Sequence, residues 1–176
     1  LYTIQEIQAD NDRKKSYQTL YNLKEDKLVQ IANKKFPNVT LPSNNNGNYA
    51  LISNPEPYQL SSQWTGQFYK HDLAIVNLET GLSKTIIKAN PSSARLSPEG
   101  LYAFGYNQVD SIWYTYNLKT KKYLELTKDK VFQDELNDVP NFPSSYGFAG
   151  WTKNDKSIII YDRYDLWEFD PDKGMG

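Results

Sequence analysis

Pro91-Ser92-Ser93-Ala94-Arg95-Leu96-Ser97-Pro98-Glu99-Gly100-Leu101-Tyr102-Ala103-Phe104 is followed by Ser111-Ile112-Trp113-Tyr114-Thr115-Tyr116-Asn117-Leu118 and then by Tyr123-Leu124-Glu125-Leu126-Thr127. A short segment, a polar turn with Gly100, two aromatic segments joined by a second polar turn, and a last segment ending in Leu-Thr predict four strands of one antiparallel sheet. Gly supplies the backbone freedom that a tight turn needs.

The same order recurs on both sides. Upstream, a turn ending in Gly47 precedes Tyr49-Ala50-Leu51-Ile52-Ser53, Asp72-Leu73-Ala74-Ile75-Val76-Asn77-Leu78 and Leu82-Ser83-Lys84-Thr85-Ile86-Ile87. Downstream, Phe148-Ala149-Gly150-Trp151, Ser157-Ile158-Ile159-Ile160-Tyr161 and Asp165-Leu166-Trp167-Glu168-Phe169 repeat the first three strands. The anchors Gly47, Gly100 and Asp155 lie about 50 residues apart, a spacing near the upper end of propeller-blade periods. The chain therefore reads as all-β, a β-propeller built of four-stranded antiparallel blades.

At 176 residues there is material for one sizeable core, and residues 1–176 read as one incomplete propeller domain of about three and a half blades. Aromatic residues make up 14% of the chain, and their type suits pleated, half-buried surfaces. Residues 1–9 alternate like a strand; with 17–22 and 28–32 they read as the last three strands of a blade. The chain has no initiator Met and breaks off in the turn after a third strand, so it is expected to be a piece of something longer. A partial propeller leaves unpaired blade edges, a route to self-association; two copies would supply about seven blades.

Twenty basic residues against 21 acidic, scattered rather than striped, give no electrostatic footprint for nucleic acid. No apolar run has the length of a membrane span, and the first residues lack the basic start and apolar core of a signal peptide. The absence of Cys excludes disulfides and thiolate zinc sites without settling the compartment. No cofactor or metal is expected.

Two connections break the pattern. Residues 54–69 carry Pro55, Pro57, Trp64, Gly66 and Phe68 in a long insertion, which reads either as a binding loop built on Trp64 or as a flap packing that ring on a neighbouring blade. Residues 128–146 link two blades and carry Asp134 and Glu135, which could hold a cationic substrate terminus or simply be solvated; 131–139 have the spacing of a short helix. Arg163, flanked by Asp in a tight turn, reads as a turn ion pair or as a fork for a peptide carbonyl or carboxylate.

Catalytic chemistry is thin. There is no G-x-S-x-G elbow, and the single His71 stands at a strand start, where a partly exposed structural histidine is the simplest reading. Asp170-Pro171-Asp172-Lys173-Gly174 has the opening of a calcium loop without its later ligands, and reads as a hairpin turn. Asn38-Val39-Thr40 fits a glycosylation acceptor. No residue is assigned a catalytic role.

The segment from Leu96 to Phe104, with Trp113-Tyr114 and the closing Asn117-Leu118-Lys119-Thr120, resembles the propeller repeats of prolyl oligopeptidase family serine peptidases, including their dipeptidyl-peptidase branch. Gly150-Trp151-Thr152-Lys153-Asn154-Asp155 running into Ile158 to Trp167 is similar to propeller segments of large exported bacterial members. The motif is shared with Tol-type and WD-repeat propellers. The resemblance implies a non-catalytic, substrate-filtering propeller of a periplasmic or secreted peptidase, with an α/β-hydrolase domain of the same polypeptide as partner and peptide as substrate. The paired-Glu motif by which the dipeptidyl-peptidase branch holds a peptide amino terminus is not matched by Asp134-Glu135. The alternative is a stand-alone propeller that binds a protein or sugar through the Trp64 loop.

Overall fold

The computed structural model describes residues 3–44, 47–65 and 70–174. A hairpin of β1 (Thr19–Asn22) and β2 (Lys27–Gln30) precedes a first blade, β3 (Asn38–Thr40), β4 (Tyr49–Asn54), β5 (His71–Asn77) and β6 (Ser83–Asn90). The second blade is β7 (Ala94–Leu96), β8 (Tyr102–Asn107), β9 (Ile112–Asn117) and β10 (Tyr123–Glu125), and the third is β11 (Phe148–Trp151), β12 (Ile158–Tyr161) and β13 (Leu166–Phe169). Every pairing is antiparallel and sequential, so each sheet is a meander with its first strand at one edge.

The strands alternate, but both of their faces are apolar, because each sheet is packed on two sides. On β4 and β5, Ala50, Ile52, Ala74 and Val76 meet Ile31 and Phe36 on the side of the N-terminal hairpin. Their neighbours Leu51, Leu73 and Ile75 meet Ala94, Leu96, Ala103 and Tyr116 of the second blade. One residue on, Phe104, Tyr106 and Trp113 point the other way, onto Ile158, Ile160 and Phe169 of the third. A one-residue slip in any central strand would exchange the two interfaces, which is what holds the register.

One turn recurs five times. Asn22, Asn77, Asn107, Asn117 and Asp170 each stand at or just after the end of a strand with a side-chain oxygen accepting backbone N–H groups of the turn, and the fifth residues, Asp26, Gly81, Ser111, Lys121 and Gly174, all have φ between 50° and 74°. Asx turns of this kind substitute a side-chain acceptor for a backbone one and finish in a left-handed residue.

Three expectations are corrected. Residues 1–9 do not supply a strand: Thr3–Arg13 is a helix, α1. Gln5, Glu6, Gln8 and Ala9 are good helix formers, and Glu6 and Arg13 suit its two ends. The 54–69 connection contains a short 3-10 turn and a helix, α2 (Gln59–Thr65), rather than an open loop. The 131–139 segment is not helical: Asp134 Oδ1 accepts the Leu136 N–H in a turn, and Gln133 bridges Ser145. That turn lets Phe132 plug the interface between the second and third blades, fully buried against Trp167 and Phe169, a burial that stabilises by roughly 1.5–3 kcal/mol.

Candidate functional site

The meander sends different loops to the two ends of the blades. One end holds the turns that follow first and third strands, and it is tightly tied. Asp155, only 2% exposed, accepts hydrogen bonds from Ser97 Oγ (2.6 Å), Glu99 N (3.2 Å) and Leu101 N (3.3 Å), joining the third blade to the second. Thr115 Oγ1 donates to Pro171 O at 2.7 Å, and Asp172 accepts from Tyr102 Oη and Asn117 Nδ2, both at 2.8 Å. Burial, and then the bond to Asp172, raise the Tyr102 pKa.

The other end holds the turns after second strands and the connections between blades, and there the molecule is cleft. A groove of about 330 Å³ is lined by Lys130, Val131, Glu135, Asp162, Arg163, Tyr164 and Trp167. Asp162 organises it: Oδ1 accepts the N–H groups of Tyr164 (2.7 Å) and Asp165 (2.6 Å), and Oδ2 accepts Trp167 Nε1–H at 2.6 Å. Burial alone would raise the Asp162 pKa, but these donors and the Lys130 charge together hold it below its ordinary value. Lys130 Nζ stands 3.2 Å over the Trp167 ring and the Arg163 guanidinium 5.2 Å from the centre of Tyr164, so cations and aromatic faces alternate along the groove.

Beside the first strands of the second and third blades lies a crevice of about 360 Å³. Phe104, Tyr106, Trp113 and Phe148 form its walls, Gly105 its floor, and Ser92, Ser93, Arg95 and Ser145 its polar margin. Gly105 is required where it is: a Cβ there would stand 2.8 Å from Tyr114 Oη and 3.2 Å from Ser93 O.

Four antiparallel sheets, packed face to face in chain order through three apolar clusters, decide the architecture. The chain is a partial β-propeller. No protein-family model matches it, and no curated protein matches its sequence. It is similar to the β-propeller domain of the Trilobed protease from Pyrococcus furiosus, at 16% identity over 80% of this chain and 41% of that one, with a TM-score of 0.44. It is similar also to TolB from Acinetobacter baumannii (14%, 89% and 35%, 0.46) and to an acylaminoacyl peptidase from Pyrococcus horikoshii (15%, 78% and 24%, 0.45). The propeller spans less than half the length of each of these chains.

Of the residues selected from sequence, Glu135 and Arg163 line the same groove although 28 positions separate them. Asp134 does not join them: its N–H donates to Ser144 O at 2.7 Å and its carboxylate closes the turn, so the pair acts as one structural and one exposed carboxylate. Trp64 belongs to α2, and its side chain lies outside the described residues. Preceding α2, Tyr58 Oη donates to Asp72 Oδ1 at 2.6 Å, pinning the insertion to β5. His71 pairs across the sheet with Asn90, and burial lowers its pKa. Asp170 to Gly174 form the turn described above, with both carboxylates receiving protein donors. Asn38 opens β3 opposite Ser53 and is exposed. The crevice was not foreseen; Gly105, which interrupts an aromatic strand and pairs with Ala94 beside Arg95, was the available signal.

Proposed function

We propose that this chain is a non-catalytic propeller segment of an exported prolyl oligopeptidase-like serine peptidase, receiving peptide substrates at the cleft end of its blades and passing them to a hydrolase domain of the same polypeptide. The observation that supports the reading best is the groove in which Glu135, Arg163 and Lys130 surround the faces of Trp167 and Tyr164. Opposite charges with amide-stacking aromatic surfaces suit an extended peptide, whose ends are charged and whose backbone is polar and planar. The fold supplies the rigid frame, and the likeness of the Leu96 to Phe104 repeat supplies the enzyme class. Export to the periplasm or outside the cell belongs to the same proposal, and fractionation of the source cells tests it.

The full-length gene product is expected to hydrolyse short peptide substrates and to spare folded proteins. Glu135→Gln and Arg163→Ala should raise KM several-fold with little change in kcat, because the groove binds without touching the reacting bond. A product without peptidase activity that still binds a protein or sugar through the groove would favour the stand-alone binding propeller. The outer faces of the end sheets, with Tyr21 and Leu28 exposed on one and Tyr161 and Leu166 on the other, are the surfaces through which further blades or a second copy would pack. Native mass against concentration tests the second copy.

A further inference from the structure

We infer that the crevice between the second and third blades binds a carboxylate, the C-terminal carboxylate of a short peptide ending in an apolar or aromatic residue. The peptide half of this inference rests on the function proposed above; the carboxylate half rests on the crevice.

Ala94 and Leu96 on β7 pack against the first blade, so Arg95 between them projects toward the third. Its guanidinium lies 5.4 Å from the centre of the Phe148 ring. A guanidinium held over a ring can still present its in-plane N–H fork to an anion. Among the described residues Arg95 takes part in no ion pair. Beside it the Ser93 and Ser145 side chains make no hydrogen bond among the described residues, whereas Ser92 Oγ is committed to Tyr106 O. The wall carries one further donor: Trp113 is 5% exposed, and its indole N–H is buried with no acceptor among the described residues.

A single guanidinium fork with hydroxyls matches the two oxygens of a carboxylate. A phosphate dianion would call for more cations than one. Four aromatic rings line the crevice with Arg95, one of them directly against its guanidinium, so the group attached next to the carboxylate has to be apolar. A C-terminal residue meets that requirement, since its side chain and its carboxylate leave the same carbon. An Asp or Glu side chain would instead bring its polar backbone against the rings. The volume, at the lower end of small-molecule sites, admits one large side chain and excludes a folded chain.

Calorimetric titration of this chain with N-acetyl-Ala-Phe as the free acid, with its C-terminal amide and with phenylacetate tests the inference. The free acid should bind at least tenfold more tightly than the amide. Arg95→Gln should abolish that difference while far-ultraviolet circular dichroism stays unchanged, and Arg95→Lys should keep part of it. Equal binding of acid and amide by the unaltered chain overturns the inference without requiring any variant, and so does an acid preference that survives Arg95→Gln. Arg95-dependent binding of phenylacetate with neither peptide bound would uphold the carboxylate site and overturn its peptide occupant together with the peptide function. Size-selective peptide hydrolysis by the full-length product, with acid and amide bound alike, would overturn the crevice inference and leave the function standing.

Discussion

Asp155→Ala removes the acceptor that ties the third blade to the second. In the folded chain the carboxylate is 2% exposed and receives Ser97 Oγ, Glu99 N and Leu101 N, and Ser97 in turn accepts Tyr102 N at 2.9 Å. Each buried donor left without a partner costs about 1–3 kcal/mol. Ser97 is fully buried and bears the whole of that cost, whereas the two backbone N–H groups are half-buried and recover part of theirs from water. The expected loss is about 3–4 kcal/mol, a large share of the stability of a domain this size. Urea unfolding followed by tryptophan fluorescence reads it, with the midpoint shifting at constant slope. Asp155→Asn keeps one acceptor oxygen and should lose less. Ser97→Ala with Asp155→Ala closes a cycle, in which the double variant should fall short of the summed single losses by about 1 kcal/mol or more. A single-variant loss within about 0.5 kcal/mol of zero, the range of an ordinary surface change, would refute the pin.

His71 is the only histidine, so its ring proton resonances report one site without assignment. Burial lowers its pKa below 6.5, so the unfolded chain takes up the proton first as pH falls; the stability present above pH 6.5 should decline through the folded pKa, and His71→Asn should lessen that decline. A titration midpoint at or above 6.5 would contradict it. Gly105→Ala should destabilise by about 1–3 kcal/mol, because the new Cβ meets the end of the buried Tyr114 ring; adding Tyr114→Phe should recover part of the loss in thermal unfolding, and no recovery would mean that the clash lies elsewhere. Lys121 holds φ 62° where Gly81 and Gly174 stand in the equivalent turns, so Lys121→Gly should stabilise by roughly 0.5–1 kcal/mol, read as a raised urea midpoint.

Much of the fold was legible because it rests on local chemistry. The strands of the second blade, the first three of the third and the aliphatic β4–β5 pattern follow from two-residue alternation and from turn residues that lie next to one another in the chain. The segment from Thr3 onward shows where that logic stops: its alternation is short and polar, and the helix propensity of Gln5, Glu6 and Ala9 prevailed. The β3 strand was passed over as a glycosylation motif because three residues are too few to show a period.

The sites divide in the same way. That Glu135 and Arg163 carry opposite charge on exposed turns is plain from their neighbours in sequence; that they share one groove, and that Asp134 is drawn off into a turn, required the third blade to dock on the second. Asp155 stands in sequence among Lys153, Asn154 and Lys156, like any solvated turn, and becomes a buried acceptor only through donors 54 to 58 positions away. Arg95 likewise becomes a candidate anchor only when Phe148 is laid against it. By itself the sequence determined the blades, since hydrogen-bonded turns and alternating faces are made by residues close in the chain. Which charges are buried, paired or left open to a ligand was decided by the stacking of blades, because desolvation and partnership depend on surfaces that adjoin only after the chain has folded.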